Sequence, residues 1–232
     1  MLIGALGDIH GAFDTVQTIL KRHQDVTLWV CVGDVASNDG EYFVPLAPIY
    51  FIKGNNEDFD VIAAAVSGQS IAPTLHYLPN GGPHHVGPWR VAALGGTYAP
   101  SWYHTPASQL PPSKGRKSGV AATLKLGKSR DDKRRHFVRD EVIACKQLTH
   151  IDLFMTHEAP RPFYPAGRRI DAGKTVLNDV LAAMKPRLHL FGHHHEFTDS
   201  MRQSVRSIGL DVVTKSYLLI DSDTFKTERL DT

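Results

Sequence analysis

The sequence Gly7-Asp8-Ile9-His10-Gly11 directly follows the apolar run Leu2–Leu6 near the beginning of the chain. We interpret that run as a β-strand, in which side chains at positions i and i+2 point the same way. Asp8 and His10 could then reach one divalent cation together, and the flanking glycines let the backbone turn tightly. Asp-x-His is a common combination, so the stretch gains meaning only if later strands end in the same manner.

Four further apolar runs end in polar side chains of the types that bind metals. These are residues 26–32 with Asp34, 49–52 with Asn55, 151–155 with His157, and 188–191 with His193 and His195. In open α/β sheets, ligands gather outside the carboxyl ends of the strands, so residues far apart in sequence meet at one edge. A single aspartate after a strand usually belongs to a turn, and a single histidine there is usually a buried side chain with a hydrogen-bond partner. Five runs with the same ending predict a metal site.

The donor types restrict the metal and the reaction. Carboxylate, imidazole and amide donors without thiolate suit hard or borderline divalent ions. We favour Mn²⁺, with Fe, Zn, Co, Ni and Mg as alternatives. Seven donors are too many for one tetrahedral ion but fit two ions that share a bridging carboxylate. Two such ions, about 3.5–4 Å apart, can hold both oxygens of an in-line phosphoryl displacement. The sequence therefore predicts metal-assisted hydrolysis of a phosphoester.

The order of these motifs resembles a known family. Asp8-x-His10, Gly33-Asp34, Gly54-Asn55-x-Glu57, His157 and Gly192-His193-x-His195 resemble the five signature blocks of the calcineurin-like metallophosphoesterases. The resemblance spans most of the chain. It implies an α/β fold, a four-layer αββα sandwich of two mixed β-sheets flanked by helices, with a dinuclear metal site at the carboxyl ends of the strands.

The same resemblance implies a role for each motif residue. The implied ligands of one metal ion are Asp8, His10 and His195. Those of the other ion are Asn55, His157 and His193, and Asp34 bridges the two. A hydroxide that bridges the ions would attack phosphorus, and the leaving alcohol would depart on the opposite side. The implied catalytic residues are Asp34, Asn55, Asn56 and His157.

Asn56 marks a departure from the family pattern. Many members carry a histidine at this position, where it protonates the leaving group or binds a phosphate oxygen. An amide donates a hydrogen bond but supplies no proton at neutral pH. Since general acid catalysis contributes about 10²–10⁴-fold, we expect substrates with good leaving groups, or another proton donor. We predict that Asn56 and Arg161 bind substrate, and that Glu57 orients a neighbouring ligand.

Three short segments are also similar to the corresponding region of RNA lariat debranching enzymes, which hydrolyse a 2′,5′ phosphodiester. These segments are Leu94–Tyr98, Lys133–Phe137 and Thr156–Pro162. Debranching enzymes usually lack the first-block histidine that is present here as His10. We therefore take the similarity as support for phosphodiester substrates and not as evidence of debranching. The expected substrates are nucleotide-like or other small phosphodiesters, and nucleic acid is an open alternative.

Two other functions remain open at this point. A phosphomonoesterase or a dinucleoside polyphosphate hydrolase could use the same site. A non-catalytic scaffold could keep the fold and bind a partner protein, although a scaffold has no chemical need for seven metal donors. The oligomeric state is open as well.

The composition is that of an ordinary globular protein. The chain has 232 residues, 42% apolar and 22% charged, with a net charge of +2 that implies neither a nucleic-acid nor a membrane partner. No apolar run approaches the length of a membrane span. Cys31 and Cys145 match no paired-cysteine motif, so we expect two small buried side chains and a cytoplasmic location. A cleaved signal peptide is not expected, because cleavage would remove the first motif.

Residues 97–136 interrupt the regular alternation of strands and helices. This segment carries four prolines and a basic run whose cations are Lys114, Arg116, Lys117, Lys125, Lys128, Arg130, Lys133, Arg134 and Arg135. We predict an irregular insertion or lid within a single domain, 1–232. It could hold a polyanionic substrate or be a solvated loop. Just before it, Leu75–Leu78 and Trp89–Leu94 are predicted to form an antiparallel pair across the turn at 79–83.

Overall fold

Two six-stranded sheets form the centre of the part of the chain that the computed structural model describes, residues 1–113 and 131–232. The first contains β1 (Leu2–Leu6), β2 (Trp29–Cys31), β3 (Ile49–Phe51), β4 (Leu75–Tyr77), β11 (Ser216–Asp221) and β12 (Thr227–Asp231). The second contains β5 (Gly81–Val86), β6 (Trp89–Leu94), β7 (Leu153–Thr156), β8 (Leu188–Phe191), β9 (Thr198–Arg202) and β10 (Val205–Gly209). The strand orders are β12-β11-β1-β2-β3-β4 and β5-β6-β7-β8-β10-β9.

The main core lies between the two sheets. Ile3 and Val30 of the first sheet share one buried cluster with Val91, Leu153 and Leu190 of the second. All five side chains are fully buried. Because successive side chains of a strand point to opposite faces, alternate residues of the same strands face outward and need a second covering layer.

Helices provide that covering layer on both outer faces. The helices are α1 (Phe13–Arg22), α2 (Phe59–Val66), α3 (Arg139–Lys146) and α4 (Thr175–Met184). Apolar residues of α1 and α2, including Ile19 and Ile62, pack on the outer face of the first sheet around Trp29. Residues of α3 and α4, including Leu181, pack against Phe154 of the second sheet. The predicted four-layer αββα sandwich is confirmed.

The direction of the central strands sets where the polar strand ends lie. Strands β1 to β4 are parallel neighbours, and so are β6, β7, β8 and β10. The antiparallel strands β11, β12, β5 and β9 complete the mixed sheets. Parallel strands carry their carboxyl ends to the same edge, and ligand sites form there.

The predicted antiparallel pairing of Leu75–Leu78 with Trp89–Leu94 is wrong. Strand β4 instead lies parallel to β3 in the first sheet, and the chain then crosses to the second sheet. The antiparallel partner of β6 is β5, which contains the glycines that were predicted to form a turn. Gly81 and Gly82 have φ angles of +105° and +125° and lie at a register shift in β5. These angles favour glycine, so the glycines form a bulge within a strand.

The two ends of the predicted insertion lie side by side. Thr97 and His136 form a parallel bridge, and the Thr97 amide donates to the Arg135 carbonyl. The Lys53 ammonium, at the end of β3, donates to the carbonyls of Arg134 and His136 at 2.9 and 3.1 Å. Residues 114–130, which carry most of the basic run, lie outside the described residues. The insertion or lid therefore stays a prediction.

The described helices are short. In residues 1–113 and 131–232, none is both long and apolar enough to cross a membrane.

Truncation of Leu153 to alanine tests the core between the sheets. Leu153 is fully buried, so Leu153→Ala should lower the free energy of unfolding by about 2–5 kcal/mol. The matched control is Leu46→Ala, at a leucine that is 59% exposed, where we expect a change within about 0.5 kcal/mol. Urea denaturation followed by circular dichroism measures both. Equal effects at the two positions would contradict the assigned core.

Candidate metal centre

The strand ends of the two sheets bring the predicted ligands to one place. Asp8, Asp34 and Asn55 follow the parallel neighbours β1, β2 and β3. His157 follows β7, and the Gly192–His195 segment follows the adjacent strand β8. A hydrogen bond joins the strand ends of the two sheets: the His193 amide donates to Asp8 Oδ1 at 3.1 Å.

One group of donor atoms is formed by Asp8, His10 and His195. Asp8 Oδ2 lies 3.0 Å from His195 Nε2 and 3.7 Å from His10 Nε2. The two ring nitrogens are 3.1 Å apart. One atom from each residue falls within 4.8 Å of the others, a separation that fits ligands of a common ion. A carboxylate with two imidazoles suits a borderline divalent cation.

A second group contains Asp8, Asp34 and His157, whose nearest donor atoms also lie within 4.8 Å of one another. Asp34 Oδ2 is 3.6 Å from His157 Nε2 and 3.7 Å from His10 Nε2, so it faces residues of both groups. The other oxygen, Oδ1, accepts a hydrogen bond from the Asn56 amide at 2.6 Å. Asp34 thus stands between the two groups with one oxygen held by the backbone.

The hydrogen bonds of His157 leave one ring nitrogen directed at acceptor atoms. Nδ1 donates to the Val32 carbonyl at 2.8 Å, so Nε2 carries no proton in the neutral ring. Nε2 lies 3.2 Å from Asn55 Oδ1 and close to Asp34 Oδ2. Acceptor atoms this close repel one another unless a proton or a cation lies among them. These residues therefore fit a divalent ion.

The close approach of these groups also shifts the pKa values of His157, Asp8 and His195. Burial alone would lower the pKa of His157, but the carboxylates of Asp34 and Asp8 outweigh it and raise the pKa above its usual value. Burial alone would raise the pKa of Asp8, but the hydrogen bond with His195 and the charge of His157 hold it below its usual value. The hydrogen bond with Asp8 raises the pKa of His195.

His193 was predicted to bind the same ion as Asn55 and His157, but its ring lies beside the donor atoms and not among them. Its ring centroid is 4.9 Å from that of His157, and its side chain falls outside both groups of converging atoms found in the described residues. Burial, followed by the charge of His157, lowers the pKa of His193 to about 3. The ring is therefore neutral at physiological pH and keeps a lone pair, as a metal ligand must.

Four of the predicted ligands have left-handed backbone angles. His10, Asp34, His193 and His195 have φ angles of +48°, +52°, +71° and +55°. Non-glycine residues seldom adopt such angles, and they cluster at functional sites where the surrounding structure enforces them. Gly54, which precedes the predicted ligand Asn55, leaves no space for a side chain, because a Cβ there would overlap the Asp34 carboxylate.

Glu57 holds together the two loops that carry Asp34 and Asn55. Its buried carboxylate accepts hydrogen bonds from the amides of Val35, Ala36 and Gly54 at 2.9, 3.3 and 3.3 Å. Tyr42 donates its hydroxyl to the same carboxylate at 2.9 Å. Glu57 was predicted to orient a neighbouring ligand, and these contacts show that it binds the backbone of the ligand-bearing loops.

The two predicted substrate-binding residues have different partners. Asn56 Nδ2 is 3.4 Å from His10 Nδ1, so its amide borders the first group. The Arg161 guanidinium forms an ion pair with Asp171 at 2.6 Å and remains half exposed. A phosphate contact by either residue stays a prediction. His194 does not converge with its neighbours, because its ring stacks on Phe163 with 4.5 Å between centroids.

A buried polar chain behind His157 was not predicted from the sequence. Thr156 Oγ1 donates to the Glu158 carbonyl and lies 2.9 Å from His189 Nε2, and His189 Nδ1 lies 3.0 Å from Ser207 Oγ. Because the threonine hydroxyl has already donated its proton, Nε2 must be the protonated nitrogen of His189. Burial lowers the pKa of His189 to about 3. A histidine within the apolar strand β8 was the available signal.

Comparisons with known proteins identify two sequence relatives and a protein of the same fold. A lariat debranching enzyme of Schizosaccharomyces pombe is 26% identical over 85% of this chain, and the chain spans about half (49%) of that enzyme. An uncharacterized protein of Haemophilus influenzae is 26% identical, covering 82% of this chain and 81% of its own length. The crystal structure of TT1561 of Thermus thermophilus shares the fold, with a TM-score of 0.64, 14% identity and coverage of 99% and 98%.

The sequence profile of one family matches most of the chain. Calcineurin-like phosphoesterases match residues 1–197, which include every predicted ligand. This is a family of phosphoester hydrolases that use divalent metal ions, and the described Asp and His groups are suited to bind such ions. The chain belongs to the calcineurin-like phosphoesterase family.

Proposed function

We propose that this protein is a phosphodiesterase that uses two divalent metal ions, preferably Mn²⁺, on nucleotide-like or other small phosphodiesters. The observation that carries the proposal is the position of Asp34 Oδ2, within 3.7 Å of His10 and 3.6 Å of His157. A carboxylate placed between two groups of donors suits a bridging ligand. A single ion would need only one of the groups.

The residues divide into two ligand sets around Asp34. Asp8, His10 and His195 would hold one ion, and Asn55, His157 and His193 would hold the other. Divalent ions bound there supply Lewis-acid activation of water and of the phosphoryl oxygens. The pKa of His193, lowered to about 3, keeps its ring available as a donor at neutral pH.

Asn56 would hold a phosphate oxygen without supplying a proton. Its amide borders His10, and its backbone is fixed by the hydrogen bond to Asp34. An amide can donate a hydrogen bond to the substrate but cannot protonate a leaving alkoxide. Diesters with good leaving groups should therefore react fastest. The similarity to a lariat debranching enzyme supports diesters, including those of RNA, over monoesters.

A comparison of two chromogenic substrates tests the preference for diesters. After chelation and reconstitution with Mn²⁺, the protein should hydrolyse bis-p-nitrophenyl phosphate with a higher kcat/KM than p-nitrophenyl phosphate. Faster turnover of the monoester would favour a phosphomonoesterase. If neither ester is hydrolysed and elemental analysis finds no bound metal, the protein is better described as a scaffold with this fold.

Substitution of Asp34 tests the bridging role. Asp34→Asn keeps the size of the side chain but removes its charge, so kcat/KM for bis-p-nitrophenyl phosphate should fall at least about 100-fold. Asp39→Asn makes the same chemical change at an exposed position of the same loop and should leave the activity within about twofold. Full activity of Asp34→Asn would contradict the proposal.

Glu57→Gln tests whether the loops must be held together for metal binding. Glutamine presents one acceptor oxygen where the carboxylate presents two, so backbone amides that now bind Glu57 lose their acceptor. We expect a loss of about 1–3 kcal/mol in the free energy of unfolding and a 10–100-fold weaker affinity for Mn²⁺ by calorimetry. The control is Glu228→Gln, at an exposed glutamate of β12. Unchanged Mn²⁺ affinity of Glu57→Gln would overturn this role.

A further inference from the structure

A cavity of about 630 Å³ opens beside the predicted metal centre. Two predicted ligands, His193 and His195, line it. Pro165, Ala166 and Arg168 line it as well, and Lys215 contributes a second cation. A substrate whose phosphorus lies between the two ligand groups could extend into this space.

Arg168 is held at the cavity by a fixed turn. Its amide donates to the Pro165 carbonyl at 2.9 Å, and Gly167 has a φ of +73°, the glycine position of a type II turn. The Ala166 amide donates to the Glu196 carboxylate at 2.7 Å, which ties the turn to the segment after His195. The backbone at Arg168 is therefore fixed before any ligand binds, and the exposed side chain extends from it.

Among the described residues, the other charged side chains that line the cavity have a hydrogen-bond or ion-pair partner within the protein, and Arg168 does not. Lys215 is paired with Asp211 at 3.2 Å, and Glu196 accepts the Ala166 amide. Arg161, in the same loop as Arg168, is paired with Asp171. Within residues 1–113 and 131–232, the Arg168 guanidinium forms no ion pair and no hydrogen bond. Arginine binds phosphate through two parallel N–H donors.

We propose that this cavity takes the part of the substrate that carries a second phosphate, and that Arg168 binds this phosphate. The inference rests on the proposed function for the phosphate that is hydrolysed. It narrows the substrate to phosphodiesters with a neighbouring phosphate, as in an oligonucleotide, and it makes Arg168 a residue that determines specificity. Arg161 is engaged by Asp171 and holds the base of the same loop.

Dinucleotides that differ by one phosphate test the inference. TpT contains a single phosphodiester, whereas pTpT and TpTp add one terminal phosphate. Dissociation constants measured by calorimetry on the metal-free protein should be about tenfold lower for at least one of the two phosphorylated dinucleotides. With Mn²⁺, the ratio of kcat/KM values should show the same preference. Arg168→Ala should abolish the preference in both measurements.

Arg169→Ala is the matched control, because it removes the same charge from the next exposed position of the loop, which does not line the cavity. It should keep the tenfold preference. Equal binding of all three dinucleotides by the unmodified protein, or an unchanged preference in Arg168→Ala, would overturn the inference. A binding preference without hydrolysis of any diester would support the cavity assignment and contradict the proposed function, so the two failures are distinguishable.

Discussion

Two carboxylates are buried side by side at the edge where the sheets meet, and the rest of the site compensates their charge. Asp8 and Asp34 are 1% and 2% exposed, and burial of uncompensated anions is costly. Imidazoles of His10, His157 and His195 approach them from both sheets. Divalent cations would complete this compensation, because the imidazoles can then stay neutral. The need to compensate two buried anions explains why ligands from five strand ends converge at one point.

Several predicted ligands have strained backbone conformations, and hydrogen bonds from other residues hold the ligand-bearing loops in place. Four of the predicted ligands have left-handed backbone angles, and each must be held there by its surroundings. Glu57 fixes the loops of the first sheet through their amides. The chain of hydrogen bonds from Thr156 through His189 to Ser207 supports the turn that presents His157. The metal centre thus depends on polar groups that bind no metal themselves.

The resemblance to the calcineurin-like family predicted the four layers. The polar endings of the apolar runs predicted which side chains gather at one edge, because the parallel strands carry their carboxyl ends to the same edge. Contacts that depend on local backbone geometry were not predictable. The β9–β10 hairpin was missed because Gln203 and Ser204 form its turn with φ of +49° and +63°, where the usual signal is Asn-Gly. Strand β4 was paired with the wrong strand because Gly81 and Gly82, which form a bulge in β5, have the sequence pattern of a turn. Arg168 gave no local signal, since its cavity is formed by distant segments.

Anomalous diffraction from crystals of the protein grown with Mn²⁺ would show whether Asp34 bridges two ions. We expect two manganese peaks, with Asp34 in contact with both. We also expect His10 and His195 at one peak and Asn55 and His157 at the other. A single peak, or an Asp34 carboxylate turned away from one of two peaks, would contradict the bridging role.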